Sequence, residues 1–552
     1  MLITLSGSKK IIFAGIIAVS ILLTAGGITI FCCAAKSAQI IGKNSWDAPV
    51  FYESQLLFIG RVFLAAALIG NTGLLLYRKN GDIVKTLTIC AIATGVFLQL
   101  DSYIRRDFWN DTMALAAWLK YSTWELFLPG YSNFAMQAAP PGFIFLSKLI
   151  GDVIGYNKWI LTLPALLFAL GSIWQFDKLS AKILSPTGHL AAIWLFCLNP
   201  GVWLYAGEFK QYSADIFFTV LIISRSIDFC NDGKKYWKQL SFTGVAAVLF
   251  SHAMFFIMPA TGAALLYHHL FRQRNNWCFA AGAIWFTAVT AAAIYAKAVM
   301  PSGMYIHEHH IAGFAPVPDS WNNIKWYLLN FTAAFSAPWN MSRGIILSLF
   351  PIAGMIYGIR KNLTSKIPLP AVAGIVTLIM LYIAAALHQY SFAPGLPFAK
   401  CRLILFTIPA ATLIFGFSIK RKISLLWIIP VFFSAIFNCC TAFMPIGNFS
   451  PPVQELISRT RAGDKILIST DAARWALMLY APKNYFTGFE KFDINSPANI
   501  RCEADRIHFF FVDCPSEQWS APDGYVIEKR SNFTLSSVIT VKKSTFDTPA
   551  DK

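Results

Sequence analysis

The first group of side chains that could do chemistry lies in a long polar segment, residues 101–159. It holds Asp101, Asp107 and Asp111 around the pair Arg105-Arg106. Asp111 precedes the helix-forming stretch MALAAWL, and capping the start of a helix is the commoner role of an isolated aspartate there. A carboxylate at the same place can also take a proton from a hydroxyl group as a general base. Both roles are open for Asp111.

A second helix in this segment is predicted to begin at the pair Pro140-Pro141, because proline is favoured in the first turn of a helix. Its sequence, PPGFIFLSKLIGDVIG, carries Lys148 and Asp152 among apolar residues. These two charges predict a helix that lies at the membrane interface rather than one that spans the bilayer.

The second group occupies the link LYAGEFKQYSADIFF between two apolar runs. In chain order it contains Glu208, Lys210, Gln211, Tyr212 and Asp215. A charged group costs about 2.5–3.5 kcal/mol at the centre of a membrane helix, so such residues are functional candidates by default. The alternative is a hairpin whose ends are merely hydrated, but this density of polar groups favours function.

The third group lies in the stretch HQYSFAPGLPFAKCRLILF, which starts at His388 and includes Tyr390. Lys400 and Arg402 would lie at the outer entrance of a membrane span, where basic residues are disfavoured. An anionic ligand would explain them, since arginine can hold a phosphate through two parallel hydrogen bonds. Snorkelling to lipid phosphates is an equally open explanation.

Metal and disulfide sites are only weakly indicated. The run His307-Glu308-His309-His310 lacks the H-E-x-x-H spacing, so we predict no metal ligands and no definite cofactor, and leave a divalent cation open. Most of the 11 cysteines lie in apolar stretches, where cysteine acts as a small hydrophobic residue. Cys502 and Cys514 could pair if their surroundings are oxidising.

The elements that must position these groups are long and apolar. The chain is 56% hydrophobic and 13% charged, with a mean hydropathy of +0.53, whereas about one quarter of the residues in soluble domains are charged. A helix needs roughly 20 apolar residues to cross a bilayer. The apolar runs predict about thirteen spans, near residues 10–35, 55–77, 84–100, 160–183, 188–206, 213–229, 240–253, 255–271, 276–299, 343–359, 367–387, 402–418 and 423–444.

The positions of the charges predict the orientation of the chain. The formal net charge is +18, but lysine and arginine cluster in short links between apolar runs, as in cytoplasmic loops. This placement argues against nucleic-acid binding. We predict a multi-pass protein of the bacterial inner membrane, with a cytoplasmic N-terminus and a first span that is too long for a signal peptide. Residues 101–159, 300–342 and 446–552 then lie outside.

The pattern changes after residue 445. Helix-like and strand-like stretches alternate there: VQELISRTRAG, DKILIST, AARWALMLYAP and RIHFFFVDC. Such alternation is typical of a small α/β domain. We therefore predict an all-α polytopic membrane domain, residues 1–445, followed by a soluble periplasmic α/β domain, residues 446–552.

The three polar groups, in this order, resemble motifs of the GT-C superfamily of membrane glycosyltransferases. The resemblance is to the family-39-like branch, which includes protein O-mannosyltransferases and lipid A aminoarabinose transferases. The matching stretches are Trp109-Asn110-Asp111-Thr112, Gln137-Ala138-Ala139-Pro140-Pro141-Gly142, Glu208-Phe209-Lys210-Gln211-Tyr212-Ser213-Ala214-Asp215, and Tyr390-Ser391-Phe392 with Arg402. Thr112 departs from the family, which often has Glu there, and Ser391 stands where Pro is frequent. The similar core is about residues 84–445, after two extra spans.

This resemblance implies a GT-C-like fold and a hexosyl- or pentosyltransferase that uses a polyprenyl-phosphate-linked sugar. The acceptor would be an envelope glycolipid, polysaccharide or protein. Asp111 would be the catalytic base, with Asp215 as a second candidate. The implied donor-phosphate and substrate contacts are Lys148, Glu208, Lys210, Gln211, Tyr212, His388, Tyr390, Lys400 and Arg402. A transporter or flippase of an anionic lipid or solute is the alternative, although we find no internal repeat.

Overall fold

The computed structural model describes a helical membrane part followed by a sheet-containing tail. Its described residues are 48–80, 82–108, 110–128, 139–299, 314–327, 345–365, 368–390, 402–419, 449–461, 463–481, 489–491, 504–512, 519–522, 525–533 and 536–543, with some helical residues between 21 and 33. The helices up to residue 419 are α1 Ala48–Asn80, α2 Ile83–Arg105, α3 Asn110–Tyr121, α4 Pro141–Ile154, α5 Lys158–Ile183, α6 Pro186–Leu198, α7 Pro200–Trp203, α8 Tyr212–Asn231, α9 Gly233–Phe250, α10 Met254–Phe271, α11 Trp277–Val299, α12 Ile345–Leu363, α13 Leu369–Ala386 and α14 Ile408–Ser418.

Polar residues in the short links determine where several helices begin. The side chains of Asp82, Asn157, Ser185 and Asp232 each accept a hydrogen bond from a backbone amide three residues later. Such N-caps satisfy amides that have no partner inside the helix, and each contributes about 1 kcal/mol. The links therefore interrupt the apolar sequence at defined residues.

The chain is an integral membrane protein by the length and apolar character of its helices. Within the described residues, six helices are long and apolar enough to cross a membrane, and seven if α6 and the short helices after it count as one bent span. Other predicted spans are also helical; α8 is one, and it carries Asp215, Arg225 and Asp228. The all-α membrane fold is confirmed. The span 423–444 lies outside the described residues, so the number thirteen stays a prediction.

The bend after α6 shapes the second polar link. Asn199 ends α6 and also caps α7, its Oδ1 accepting a hydrogen bond of 2.8 Å from the amide of Gly201. The axes before and after this break differ by 60°. A 3-10 turn, Leu204–Gly207, then leads into the polar residues before α8. The predicted span 188–206 is therefore bent and not one straight helix, because Pro200 has no amide hydrogen with which to continue α6.

Stacked aromatic rings and a glycine bring three of the membrane helices into close contact. The rings of Phe176 on α5 and Phe196 on α6 stack with centroids 4.1 Å apart. Gly95 on α2 allows close contact with α6, because an added Cβ would lie 2.8 Å from the Sγ atom of Cys197. These contacts hold α2, α5 and α6 together beneath the polar link.

The tail forms a five-stranded mixed sheet with two helices. Its elements are α15 Ser450–Arg459, β1 Lys465–Ile468, α16 Asp471–Tyr480, β2 Phe489–Lys491, β3 Arg506–Val512, β4 Tyr525–Phe533 and β5 Ser536–Lys543. The strand order is β2-β1-β3-β5-β4, with β1 parallel to both neighbours and β5 antiparallel to β3 and β4. The predicted α/β fold of the tail is confirmed, while the domain boundary at residue 445 stays a prediction.

The tail domain packs directly on α3. Side chains of α3, such as Trp118 and Leu119, share one hydrophobic cluster with α16. The Nζ atom of Lys120 donates hydrogen bonds of 2.8 Å and 3.2 Å to the carbonyls of Leu479 and Met478. Because cations stabilise the carboxyl end of a helix, Lys120 fixes α16 against α3. The first polar segment and the tail domain therefore lie on the same side of the membrane.

Candidate functional site

A buried ion pair connects the first and second polar groups. The Nη2 atom of Arg106, just after α2, lies 3.0 Å from the Oε2 atom of Glu208, and both side chains are buried. The Nη1 atom of Arg106 donates a 3.0 Å hydrogen bond to the carbonyl of Leu204. A buried charge requires such partners, so this pair fixes the end of α2 to the second polar group.

Phe209, the residue between Glu208 and Lys210, joins three of the motif segments. Its ring centroid lies 6.1 Å from that of Phe108 and 5.6 Å from that of Phe143. Phe108 precedes α3, and Phe143 lies in the first turn of α4. Aromatic contacts of this kind are favourable beyond their area of burial. The segments that contain Asp111 and Pro140-Pro141 therefore meet at the second polar group.

Asp215 lies buried in the first turn of α8 and is held from the link between α9 and α10. The hydroxyl of Ser251 donates a 2.6 Å hydrogen bond to its Oδ1 atom, and the amide of Ala253 also bonds to the carboxyl group. Gly142 at the start of α4 lies against the same end of α9, since an added Cβ would be 2.7 Å from the carbonyl oxygen of Leu249.

Tyr390, from the third polar group, lies close enough to Asp215 for the two groups to interact electrostatically. Its ring contacts that of Phe256 on α10 edge to face, with centroids 4.8 Å apart. Burial, together with the nearby Asp215 and Tyr212, raises the pKa of the Tyr390 hydroxyl well above its ordinary value. Tyr390 therefore lies within electrostatic range of Tyr212 and Asp215, while a shared role in a binding site stays a prediction.

The element that begins with Arg402 lies next to this cluster. It is a 3-10 helix, Arg402–Thr407, whose Phe406 ring stacks on Phe256 with centroids 5.9 Å apart. This 3-10 helix packs against α8. The side chain of Arg402 and all of Lys400 lie outside the described residues, so the convergence of Arg402 with Lys210 stays a prediction.

Lys148 on α4 is buried and forms a small network with one residue of α4 and one residue of the link that follows it. Its Nζ atom lies 2.9 Å from Oδ1 of Asp152 and 2.9 Å from the hydroxyl of Tyr156. The Tyr156 hydroxyl also donates a 2.6 Å hydrogen bond to Asp152. Burial, reinforced by Asp152, raises the pKa of Tyr156. The predicted contact of Lys148 with donor phosphate would require it to share these partners.

His388 lies in the turn that leads to Tyr390. Its φ angle is 55°, in the left-handed region, and its ring stacks on Phe314 with centroids 5.0 Å apart. A left-handed conformation is uncommon outside glycine, although histidine adopts it more readily than most residues. The side chain of His388 is exposed, whereas Tyr390 is half-buried.

The three aspartates of the first polar group differ in their surroundings. Asp101 is buried beside Arg61 and Arg105, with its Oδ1 atom 3.2 Å from Nε of Arg61. The Oδ1 atom of Asp107 accepts a 3.0 Å hydrogen bond from the hydroxyl of Tyr480. Asp111 lies half-buried in the first turn of α3. Asp101 and Asp107 thus have structural contacts, and the role of Asp111 as the base stays a prediction.

Several functional predictions concern residues that the structure does not describe. Trp109, His307–His310, Cys502 and Cys514 are among them. Within the described ranges, no group of three His, Cys, Asp or Glu side chains is placed to hold a metal ion. Residues 307–310 lie outside these ranges, so whether they bind a divalent cation stays open.

Sequence reasoning did not identify the partners that hold the acidic residues. The sequence predicts Arg106 on the outer face, where basic residues are disfavoured, and this is the same feature that draws attention to Arg402. Ser251 follows the last residue of α9, and no local pattern connects it with Asp215. Their contacts depend on how distant segments pack.

An apolar cavity of about 440 Å³ lies among α8, α10, α12, α13 and α14. Its walls include Ile223, Ile257, Met355 and Ile414. Thr407, adjacent to the stacked Phe406, also lines it, so the cavity reaches the 3-10 helix that begins at Arg402. Such a cavity suits hydrocarbon rather than a charged solute.

No protein-family model and no curated protein matches the sequence. The chain is similar to the solved structure of ArnT from Cupriavidus metallidurans bound to undecaprenyl phosphate, with 10% identity and a TM-score of 0.48, over 82% of this chain and 97% of that chain. It is also similar to the apo oligosaccharyltransferase of Archaeoglobus fulgidus, with 13% identity and a TM-score of 0.46, over 72% of this chain.

This chain spans 64% of the length of the archaeal oligosaccharyltransferase. A further structure of that enzyme, AglB, contains an inhibitory peptide and a dolichol-phosphate, and matches with 12% identity and a TM-score of 0.45. At this level of similarity, the functional evidence is the arrangement of this chain's own residues.

Proposed function

We propose that the chain is a glycosyltransferase that moves a sugar from a polyprenyl-phosphate-linked donor to an acceptor of the cell envelope. The observation that carries this proposal is the convergence of the three polar groups at one end of the helix bundle. Phe209 contacts Phe108 and Phe143, and Tyr390 interacts electrostatically with Asp215. Segments that are far apart in sequence thus present acids and hydroxyl groups to one site.

The residues of this site can supply what sugar transfer needs. The acceptor oxygen attacks the anomeric carbon of the sugar, and Asp111 takes the proton of the acceptor hydroxyl as general base. The bond between the anomeric carbon and the phosphate oxygen breaks, and the polyprenyl phosphate leaves with the electron pair. Lys210 and Arg402 stabilise this phosphate, and Asp215, fixed by Ser251, orients the acceptor.

The apolar cavity supports a lipid-linked donor. Thr407, the last residue of the 3-10 helix that starts at Arg402, lines it, and its other walls are membrane helices. Burying hydrocarbon there would gain about 25 cal/mol per Å² of apolar surface. A donor whose phosphate binds at the polar cluster could therefore place part of its polyprenyl chain in this cavity.

The proposal also includes the location of the reaction. The tail domain and α3 lie on the same side of the membrane, and the charge pattern of the sequence predicts that this side is the periplasm of a bacterium. The transferred group would be a hexose or a pentose. The acceptor would be a glycolipid, a polysaccharide or a protein, each of which is present in the envelope.

Transfer by the purified full-length protein tests this function. The protein is reconstituted in liposomes with a radiolabelled polyprenyl-phosphate sugar and fractionated envelope acceptors. We expect the label to move to an acceptor fraction, with release of polyprenyl phosphate. Movement of the intact labelled donor across the bilayer, without any transfer, would instead support the flippase alternative and refute the proposal.

A further inference from the structure

The tail domain makes a polar contact beside the proposed catalytic segment. Tyr480 is the last residue of α16, and its hydroxyl donates a 3.0 Å hydrogen bond to Oδ1 of Asp107. The same carboxylate oxygen accepts a 2.7 Å hydrogen bond from the amide of Phe108. Asp107 belongs to the link between α2 and α3, and Asp111 lies four residues further along the chain.

The link that leads to Asp111 is held at consecutive residues. Arg106 is fixed by Glu208 and by the carbonyl of Leu204. Phe108 is fixed by the ring of Phe209. Asp107, between them, is held by the tail domain. The membrane part thus supplies two of these attachments, and Tyr480 supplies the third.

The far end of α3 is attached to the same end of α16. The Nζ atom of Lys120 bonds to the carbonyls of Met478 and Leu479, and a third carbonyl, that of Ala481, lies 3.4 Å away. Both the entry to α3 and its last turn are therefore fixed to the residues around Tyr480. The 12-residue helix that carries Asp111 can shift only if these contacts change.

We propose that Tyr480 is a positioning residue for sugar transfer, acting through Asp107 to hold Asp111 in its reactive place. This inference rests on the proposed function and adds a role for the tail domain. Tyr480 does not take part in proton transfer. Its hydroxyl limits the movement of the link between α2 and α3, because a small displacement of a catalytic group can cost about 100-fold in rate.

The charge state of Asp107 gives a readout that simple loss of packing would not produce. Both groups that bond to its Oδ1 atom are donors, so they favour the ionised carboxylate. Burial raises the pKa of Asp107, while these two bonds and the nearby Lys158 lower it. Removing the Tyr480 hydroxyl should therefore raise this pKa further.

The test compares Tyr480→Phe with a matched control in the full-length reconstituted protein. Tyr525→Phe also removes one tyrosine hydroxyl, but that hydroxyl bonds to the carbonyl of Ala504 inside the tail domain. We expect Tyr480→Phe to lower kcat about 10-fold with little change in the KM for the donor. The acidic limb of its pH–activity profile should move to higher pH, while Tyr525→Phe follows the wild type.

Asp107→Asn and the double variant with Tyr480→Phe complete the test. If Tyr480 acts through Asp107, the double variant should lose no more activity than Asp107→Asn alone, and thermal unfolding should show the same coupling. Equal pH profiles for Tyr480→Phe and Tyr525→Phe, or additive losses of activity, would overturn the positioning role. A wild-type protein that transfers no sugar would refute the proposed function. Thermal unfolding of the same variants would still show whether Tyr480 and Asp107 interact.

Discussion

Replacement of Arg106 by methionine tests how the site is held together. The variant keeps the apolar stem of the side chain, but it removes the guanidinium group that lies 3.0 Å from Oε2 of Glu208 and 3.0 Å from the carbonyl of Leu204. Glu208 would then be a buried carboxylate without this partner. Removing one member of a buried ion pair typically costs about 3–5 kcal/mol.

A double-mutant cycle measures how much the interaction between Arg106 and Glu208 contributes to the free energy of unfolding. Glu208→Met should cost a similar amount, because it leaves Arg106 buried without its carboxylate. The double variant, with two apolar side chains of similar volume, should be more stable than the sum of the two losses predicts. If the two residues did not interact, the loss of stability in the double variant would equal the sum of the two single losses.

The assay is thermal unfolding of the purified protein in detergent, with transfer activity measured at a permissive temperature. We expect the coupling between Arg106 and Glu208 to be about 1.5–3 kcal/mol in favour of the double variant. Strict additivity, or single variants as stable as the wild type, would refute the conclusion that this ion pair fixes the end of α2 to the second polar group.

Three further predictions concern other contacts of the site. Ser251→Ala removes the 2.6 Å donor to Asp215 and should lower the rate of transfer about 10-fold in a single-turnover assay, with normal membrane insertion. Gly142→Val should reduce the yield of folded protein, measured by gel filtration, because even a Cβ would lie 2.7 Å from the carbonyl oxygen of Leu249. Arg402→Ala should raise the KM for the donor about 10-fold or more, measured by titration with polyprenyl-phosphate sugar, while leaving the unfolding temperature nearly unchanged.

Long apolar runs were predicted closely from the sequence. The predicted spans 160–183 and 276–299 correspond to α5 Lys158–Ile183 and α11 Trp277–Val299. The helix expected at the proline pair is α4 Pro141–Ile154. These elements are determined by local properties, namely continuous apolar residues and the preference of proline for the first turn.

The bend at Asn199 was not predicted, although both of its causes are visible in the sequence. Pro200 cannot continue the hydrogen bonds of α6, and Asn199 can cap a new helix. Because the residues on both sides are apolar, hydropathy alone predicts one continuous span, residues 188–206. The bend turns the chain so that Glu208 reaches Arg106.

Within the candidate site, residue types were easier to predict than partners. Asp215 was selected because charged groups are costly near a membrane, and Tyr390 because it matches a motif of the family. The structure places Tyr390 within electrostatic range of Asp215. The donor from Ser251 and the contact between Asp107 and Tyr480 join segments that are distant in sequence. Such contacts depend on helix packing, which no local pattern encodes.

The proposed role of Asp111 is tested most directly by the single-turnover rate of Asp111→Asn with saturating donor and acceptor. Asparagine keeps the size of the side chain in the first turn of α3, but it cannot take the acceptor proton. We predict that the variant inserts and unfolds like the wild type while its rate of transfer falls about 10²–10⁴-fold. A rate close to that of the wild type would contradict the assignment of Asp111 as the base and direct the search to Asp215.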